Sequence, residues 1–254
     1  MKRPPARLCL WLCVLSLGLA PRAFAQTSAL AWLNAVRHAA GAPPVMEDVL
    51  LSRTALDWAR ALAQAGVISH RGTDGSTGLD RYRSHGGTDA RVGEIIGAGP
   101  RLASIERGWE GSPSHRTVTL GPSWTHAGVG EWPTPGGEVC VLMLCVRLVE
   151  DLRVIQEGAQ LLVSGRFTTR AATGALLAAG MDAVKPESWD PASRTFSFRL
   201  ASGGLASYIR LGFVTSDGDF SLTNAFTLSL PPTSRRETVS PGERGRFEGP
   251  GAPR

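Results

Sequence analysis

Apolar residues change their spacing near Leu152, and the change divides the chain into two kinds of structure. Before it, Leu30, Leu33 and Val36 recur at helical intervals, with Ser28 as N-cap and Gly41 as stop. Pro43-Pro44 breaks the chain, and Leu51, Ala55, Trp58, Ala59 and Leu62 mark the buried stripe of a longer helix ending at Gly66. Residues 72–78 read as a polar loop around Asp74-Gly75, and residues 102 to about 109 as a third helix. Apolar segments at 126–132 and 138–148 read as strands. Helices first and antiparallel strands last predict an α+β unit rather than a doubly wound sheet.

After Leu152 the period is two. Phe196, Phe198 and Leu200 alternate with polar neighbours, as do Ile209, Leu211 and Phe213. Phe220, Leu222, Phe226, Leu228 and Leu230 continue the pattern, and Leu161, Val163 and Phe167 add to it. Five or more short strands predict a small all-β sandwich over 151–232. Beyond Pro231-Pro232 the composition is Pro, Gly, Arg and Glu, which predicts a disordered tail over 233–254.

The N-terminus carries the three regions of a secretory signal peptide. Lys2, Arg3 and Arg7 open it, an apolar run from Leu8 to Ala20 follows, and Ala23-Phe24-Ala25 supplies a small-x-small cleavage site, so residues 1–25 are expected to be removed. Thirteen helical residues span about 20 Å, short of the roughly 30 Å hydrocarbon core, which argues against a membrane anchor. No later stretch is long and apolar enough to span a bilayer, so the mature protein is expected in the periplasm or outside the cell. Four of the 27 basic residues leave with the signal, and the 23 that remain face 22 acidic ones. A nucleic-acid partner therefore loses its electrostatic argument. Cys140 and Cys145 remain on one apparent buried strand. Five positions apart they face opposite sides, roughly 16 Å from each other, too far for a disulfide.

Three short stretches carry candidate chemistry: Ile68-Ser69-His70, Gly93-Glu94-Ile95, and Trp109-Glu110-Gly111-Ser112-Pro113-Ser114-His115-Arg116. Two imidazoles and one or two carboxylates drawn from separate segments can hold a divalent ion such as Zn²⁺ and leave a position open for water or ligand. Ser112-Pro113 starts a short helix, which would project His115 from a defined position. Plainer roles exist beside these: His70 could cap the preceding helix, and Glu94 could pair with Arg91 or Arg101. His38, His85 and His126 match no motif, and Trp32, Trp58 and Trp109 read as core anchors.

With Leu33-Asn34-x-x-Arg37 and Gly41-x-Pro43 upstream and Ala127-Gly128-Val129-Gly130 downstream, residues 30–147 resemble the bacterial, SCP-like branch of the CAP superfamily (cysteine-rich secretory proteins, antigen 5, pathogenesis-related protein 1). The resemblance implies an α-β-α sandwich over 27–150 with two His and two Glu facing a central cleft. Carried over, His70 and His115 correspond to the family's histidines and would be the metal ligands, and Glu94 corresponds to the acid of its Gly-Glu-Asn motif. Glu110 is the nearest candidate for the second acid, ahead of Glu106, and Ile95 stands where the family has Asn.

Three functions follow as expectations. In the first, the cleft of His70, Glu94, His115 and Glu110 holds a divalent metal, a small ligand or a lipid without turnover. The second is a hydrolase in which Glu94 or Glu110 activates water. In the third, an envelope protein works through the sandwich, with a cell-envelope component as partner. The His-Glu-x-x-His helix of zinc proteases is absent, Ser112 and Ser114 sit too close in sequence to His115 to face it as nucleophiles, and no phosphate-binding Gly loop follows a strand. Binding is therefore favoured over catalysis, and neither a nucleotide nor a redox cofactor is expected.

Overall fold

A computed structural model describes residues 28–180, 182–201 and 208–227. The expected signal (1–25), the strand positions Leu228 and Leu230 and the tail (233–254) lie outside the described residues.

The first unit runs α1 (Ser28–Ala39), β1 (Met46–Glu47), α2 (Val49–Ala65), α3 (Gly78–Ser84), β2 (Val92–Gly99), α4 (Leu102–Gly111), α5 (Pro113–Thr119), β3 (His126–Thr134) and β4 (Gly137–Cys145). Ser28 is the first residue of α1 rather than the position before it. Asp48 caps α2 by accepting the Leu51 N–H, and Gly66 ends it at φ 67°, a left-handed conformation cheap only for glycine. Four strands pair in the order β1-β3-β4-β2, with β1 parallel to β3 and the other pairs antiparallel.

β4 is the centre of this unit, and every residue of 139–145 is buried. Side chains alternate across a strand, so one covered on both faces must be apolar throughout. Cys140, Leu142 and Leu144 pack with Leu30 and Leu33 of α1 and Ile105 and Trp109 of α4. Val141, Met143 and Cys145 pack with Leu51, Ala55, Ala59 and Leu62 of α2. The result is an α-β-α sandwich, and the two cysteines lie on its opposite faces as their odd spacing requires.

Three elements of this unit escaped the sequence reading: the two-residue β1, β2 and α3. Residues 92–99 form a strand although three of the eight are glycine, and two of those three lie under α4, where a Cβ at Gly97 would overlap Ile105 and one at Gly99 the Ser104 hydroxyl. Gly78 begins a helix rather than ending a loop. That helix is seven residues long, buries only Tyr82, and is started by a capping box in which Thr77 and Asp80 each satisfy the other's backbone N–H.

The second unit runs β5 (Val149–Glu157), β6 (Gln160–Phe167), β7 (Gly174–Ala179), β8 (Asp182–Val184), β9 (Ser188–Asp190), β10 (Thr195–Ala201), β11 (Tyr208–Val214) and β12 (Phe220–Thr227). Two antiparallel sheets, β5-β6-β10-β9 and β12-β11-β7-β8, close on one core that includes Val163, Phe167, Phe198, Leu177, Leu211 and Phe213. One face assignment needs correction. Phe220 and Leu222 are exposed, while Thr223, Asn224 and Ala225 are buried. A register shift between Leu211 and Gly212 breaks the alternation, and the ring of Phe220 covers the space that a side chain at 212 would occupy.

The two units meet along β12. The loop before β2 adds to its edge, with Ala225 N–H donating to Thr88 O (2.8 Å) and Ala90 N–H to Thr223 O (2.9 Å).

Candidate functional site

Gly66 turns the chain out of α2, and the next residues are held by Trp58, whose indole N–H donates to Ser69 O at 3.2 Å. This places His70 five residues past the end of α2, so it is not the helix cap. The loop that follows closes on itself through Gly75 N–H to Gly72 O and Gly72 N–H to Ser76 O, both at 2.9 Å. The Thr77–Asp80 box then starts α3, which delivers Arg81. Glu94 comes from β2, where it stands opposite Met143 of the central strand.

These elements converge on one carboxylate. Glu94 Oε1 lies 2.8 Å from His70 Nδ1, and Glu94 Oε2 accepts from Arg81 Nη2 at 2.7 Å. The carboxylate is 7% exposed and Arg81 11%, whereas the His70 side chain is 60% exposed. Because a carboxylate facing the Arg81 guanidinium accepts, Nδ1 of His70 carries the proton and Nε2 is left as an acceptor at the open side. Arg81 is held from several sides. Its guanidinium stacks 3.8 Å from the centroid of Trp58 and donates to Ser76 O (3.1 Å) and His70 O (3.3 Å). Glycine at 78 leaves room for the carboxylate, since a Cβ there would come within 3.1 Å of Glu94 Oε2. A cavity of about 400 Å³ opens beside this group, lined by His70, Arg71, Thr77, Gly78, Gly93 and Glu94 among others.

His115 projects from α5, which begins at Pro113 after Ser112 as the sequence indicated. Its Nδ1 is buried without a partner among the described residues. Burial lowers its proton affinity, and nearby His70, when protonated, lowers it further. Glu110 lies elsewhere: Trp32 Nε1 donates to its Oε1 at 2.6 Å, and it borders a separate depression with Val36 and Arg116. Arg81, not Arg91 or Arg101, is the partner of Glu94, and Arg91 stacks over Trp124 instead (5.4 Å). The sequence reading missed Arg81, although Thr77-x-x-Asp80 was a legible start signal for its helix.

The donor set falls short of a divalent metal centre. Both oxygens of Glu94 are engaged, one of them by a cation, and among the described residues no three His, Cys, Asp or Glu side chains converge as such a site requires.

Residues 30–146 match the family model of the cysteine-rich secretory protein family, CAP. The match covers just under half of the chain. The chain is similar to the uncharacterized protein YkwD of Bacillus subtilis, with 29% identity over 98 residues, 38% of each chain. The match thus spans well under half of that relative. Among solved structures, an outer surface protein from Borrelia burgdorferi is similar at 20% identity, covering 47% of this chain and 90% of that one, with a TM-score of 0.45. An extracellular SCP-domain protein from Bacillus anthracis is similar at 21% identity, covering 45% and 38%, with a TM-score of 0.40.

Proposed function

We propose that the protein is an extracytoplasmic binding module whose CAP cleft takes a small polar ligand beside His70 and Glu94. The supporting observation is the engagement of Glu94. A general base must reach the proton it removes, and the Glu94 carboxylate, 7% exposed, is turned to His70 on one oxygen and Arg81 on the other. Glu94 therefore orients His70, and the groups left for a ligand are His70 Nε2, Arg71 and the backbone around Gly78. Among the described residues no hydroxyl or thiol hydrogen-bonds His70 as a nucleophile would. The place outside the cytoplasm rests on the export-signal pattern of residues 1–25; among the described residues no helix is long and apolar enough to cross a membrane.

A second reading, a hydrolase with His70 as base toward water, has the same dyad in its favour, since a carboxylate that fixes an imidazole tautomer is also how such bases are held.

The test combines three measurements on the wild type and on His70→Ala, His115→Ala and Glu94→Gln. These are bound metal, turnover of peptide, ester and glycan substrates, and amide shifts on titration with a panel of sugars, amino acids and phospholipid head groups. The binding reading expects saturable shifts around residues 70–78 and 93–94, lost in His70→Ala, with no turnover. Turnover abolished by Glu94→Gln would establish the enzyme instead. Stoichiometric Zn²⁺ lost in both histidine variants would make the cleft a metal site.

A further inference from the structure

A cavity larger than the one beside Glu94 lies between the two units. It measures about 710 Å³, within the range of small-molecule sites, and is lined from the CAP domain by Met46, Leu50, Asp89 and His126 and from the sandwich by Asp151 and Asn224, among others.

The hydrogen bonds around it sort its polar groups into committed donors and free acceptors. Arg147 donates Nε and Nη2 to Asp89 Oδ2 (3.2 and 3.0 Å) and Nη1 to Asp48 Oδ2 (2.7 Å). Tyr82 donates its hydroxyl to the same Asp89 oxygen at 2.6 Å. The Thr125 hydroxyl is placed to donate to Cys145 O (3.2 Å) while its oxygen accepts the Arg147 N–H, and in that arrangement the 2.9 Å contact has His126 Nδ1 donating. His126 Nε2 is then a bare acceptor with no partner among the described residues. Burial, followed by the charge of Arg147, lowers the proton affinity of this ring and keeps it neutral.

Asn224 is 2% exposed, gives its N–H to Thr88 Oγ1 (3.1 Å), and has a carbonyl oxygen that no described group donates to. A buried acceptor without a donor is costly. Asp151 is exposed and pairs with no basic side chain among the described residues.

The charges add to the same preference. One guanidinium, Arg147, serves two carboxylates, Asp48 and Asp89, while Glu150 is neutralised by Arg166. Asp151 adds a further negative charge, so the cavity is acidic overall. Met46, 60% exposed, lies with Leu50 and Leu152 on the lining and offers apolar surface.

From this arrangement we infer that the cleft between the CAP domain and the sandwich binds a small organic cation, a protonated amine carried on a short apolar stem. The ammonium donates to His126 Nε2 and Asp151, and the stem covers Met46 and Leu50.

The experiment titrates the full chain with n-pentylammonium chloride at low ionic strength, following backbone amide signals, alongside n-pentanol and pentanoate as probes of equal length. The ammonium probe should give saturable shifts at Thr88, His126 and Asp151, and neither control should do so. Asp151→Asn removes the charge while keeping a residue that tolerates the left-handed φ of 53° found there, and should weaken binding about threefold. His126→Phe removes the acceptor and should weaken it about fivefold. Non-saturating shifts, tighter binding of pentanoate, or a dissociation constant unchanged in both variants would overturn the assignment. Asp151→Asn keeps the test decisive should His126→Phe fail to fold.

Discussion

Arg81 joins two jobs that are often separate: it holds a buried carboxylate, and it roofs the tryptophan that anchors the His70 loop. Removing the cation leaves Glu94 desolvated with only His70 beside it, and breaking a buried pair from one side costs more than the pair itself contributes. Arg81→Met should therefore lose about 3 kcal/mol of stability in denaturant unfolding. The double variant Arg81→Met, Glu94→Gln should recover much of that loss, because the stranded charge is gone. A double variant no more stable than the single one would mean that Arg81 acts through stacking alone. At this scale the sequence allowed His70, Glu94 and His115 to be picked out, and the structure sets His70 on Glu94 with His115 near enough for their charges to interact. What it hid were partners fixed by tertiary packing. Arg81 belongs to a helix too short to show a period, and the carboxylate of Glu110 is taken by Trp32, 78 positions away in the chain.

Helix α2 rests directly on β3, and the Ala127-Gly128-Val129-Gly130 stretch is what permits it. A Cβ at 128 would overlap the backbone at Ser52 and Leu51, and one at 130 would overlap the backbone at Ala55 and Leu56. The repeated glycine is a packing device that lets helix and strand backbones touch. Gly128→Ala and Gly130→Ala should each destabilise by roughly 3 kcal/mol or more, because backbone cannot yield as a flexible side chain can. Melting temperatures within a degree or two of wild type would show that the helix can lift off the sheet at little cost. Elements with a strong period were legible: α1, α2, α4, β3, β4 and, in the sandwich, β6, β10, β11 and β12. β2 was not, because its glycines, chosen to pass beneath α4, dilute the strand signal. β12 was recognised as a strand but turned to the wrong face, since a bulge leaves no trace in an alternating pattern.

At the scale of the whole molecule, acid sensitivity should come first from histidines. His115 in the CAP domain and His126 in the cleft between the units both have proton affinities below the ordinary value of 6.5, chiefly through burial. The unfolded chain binds protons more readily at these rings than the folded one does, so stability falls wherever protonation of the unfolded state leads. That window opens as pH drops below about 6.5 and closes at the lower folded-state values. Each group can contribute a slope of at most about 1.4 kcal/mol per pH unit, and partial exposure keeps the real figure well under this ceiling. Glu106 and Glu131 act with the opposite sign. Their carboxyls are raised above 4.5, mainly by burial and then by neighbouring acids, so acidification relieves a penalty in a window lying just above that value. Unfolding free energy should therefore be level from pH 8 to about 6.5, decline below it, and decline less steeply in His115→Gln and His126→Gln. A wild-type profile still flat at pH 5.5, or variants that keep the full slope, would assign the acid response to other groups. Protonating His126 at Nε2 leaves its Nδ1 bond to Thr125 in place but sets a second positive charge against Arg147, in the linker between the units. Domain separation, read as a split melting transition, should appear at the acid end of the same window and be reduced in His126→Gln.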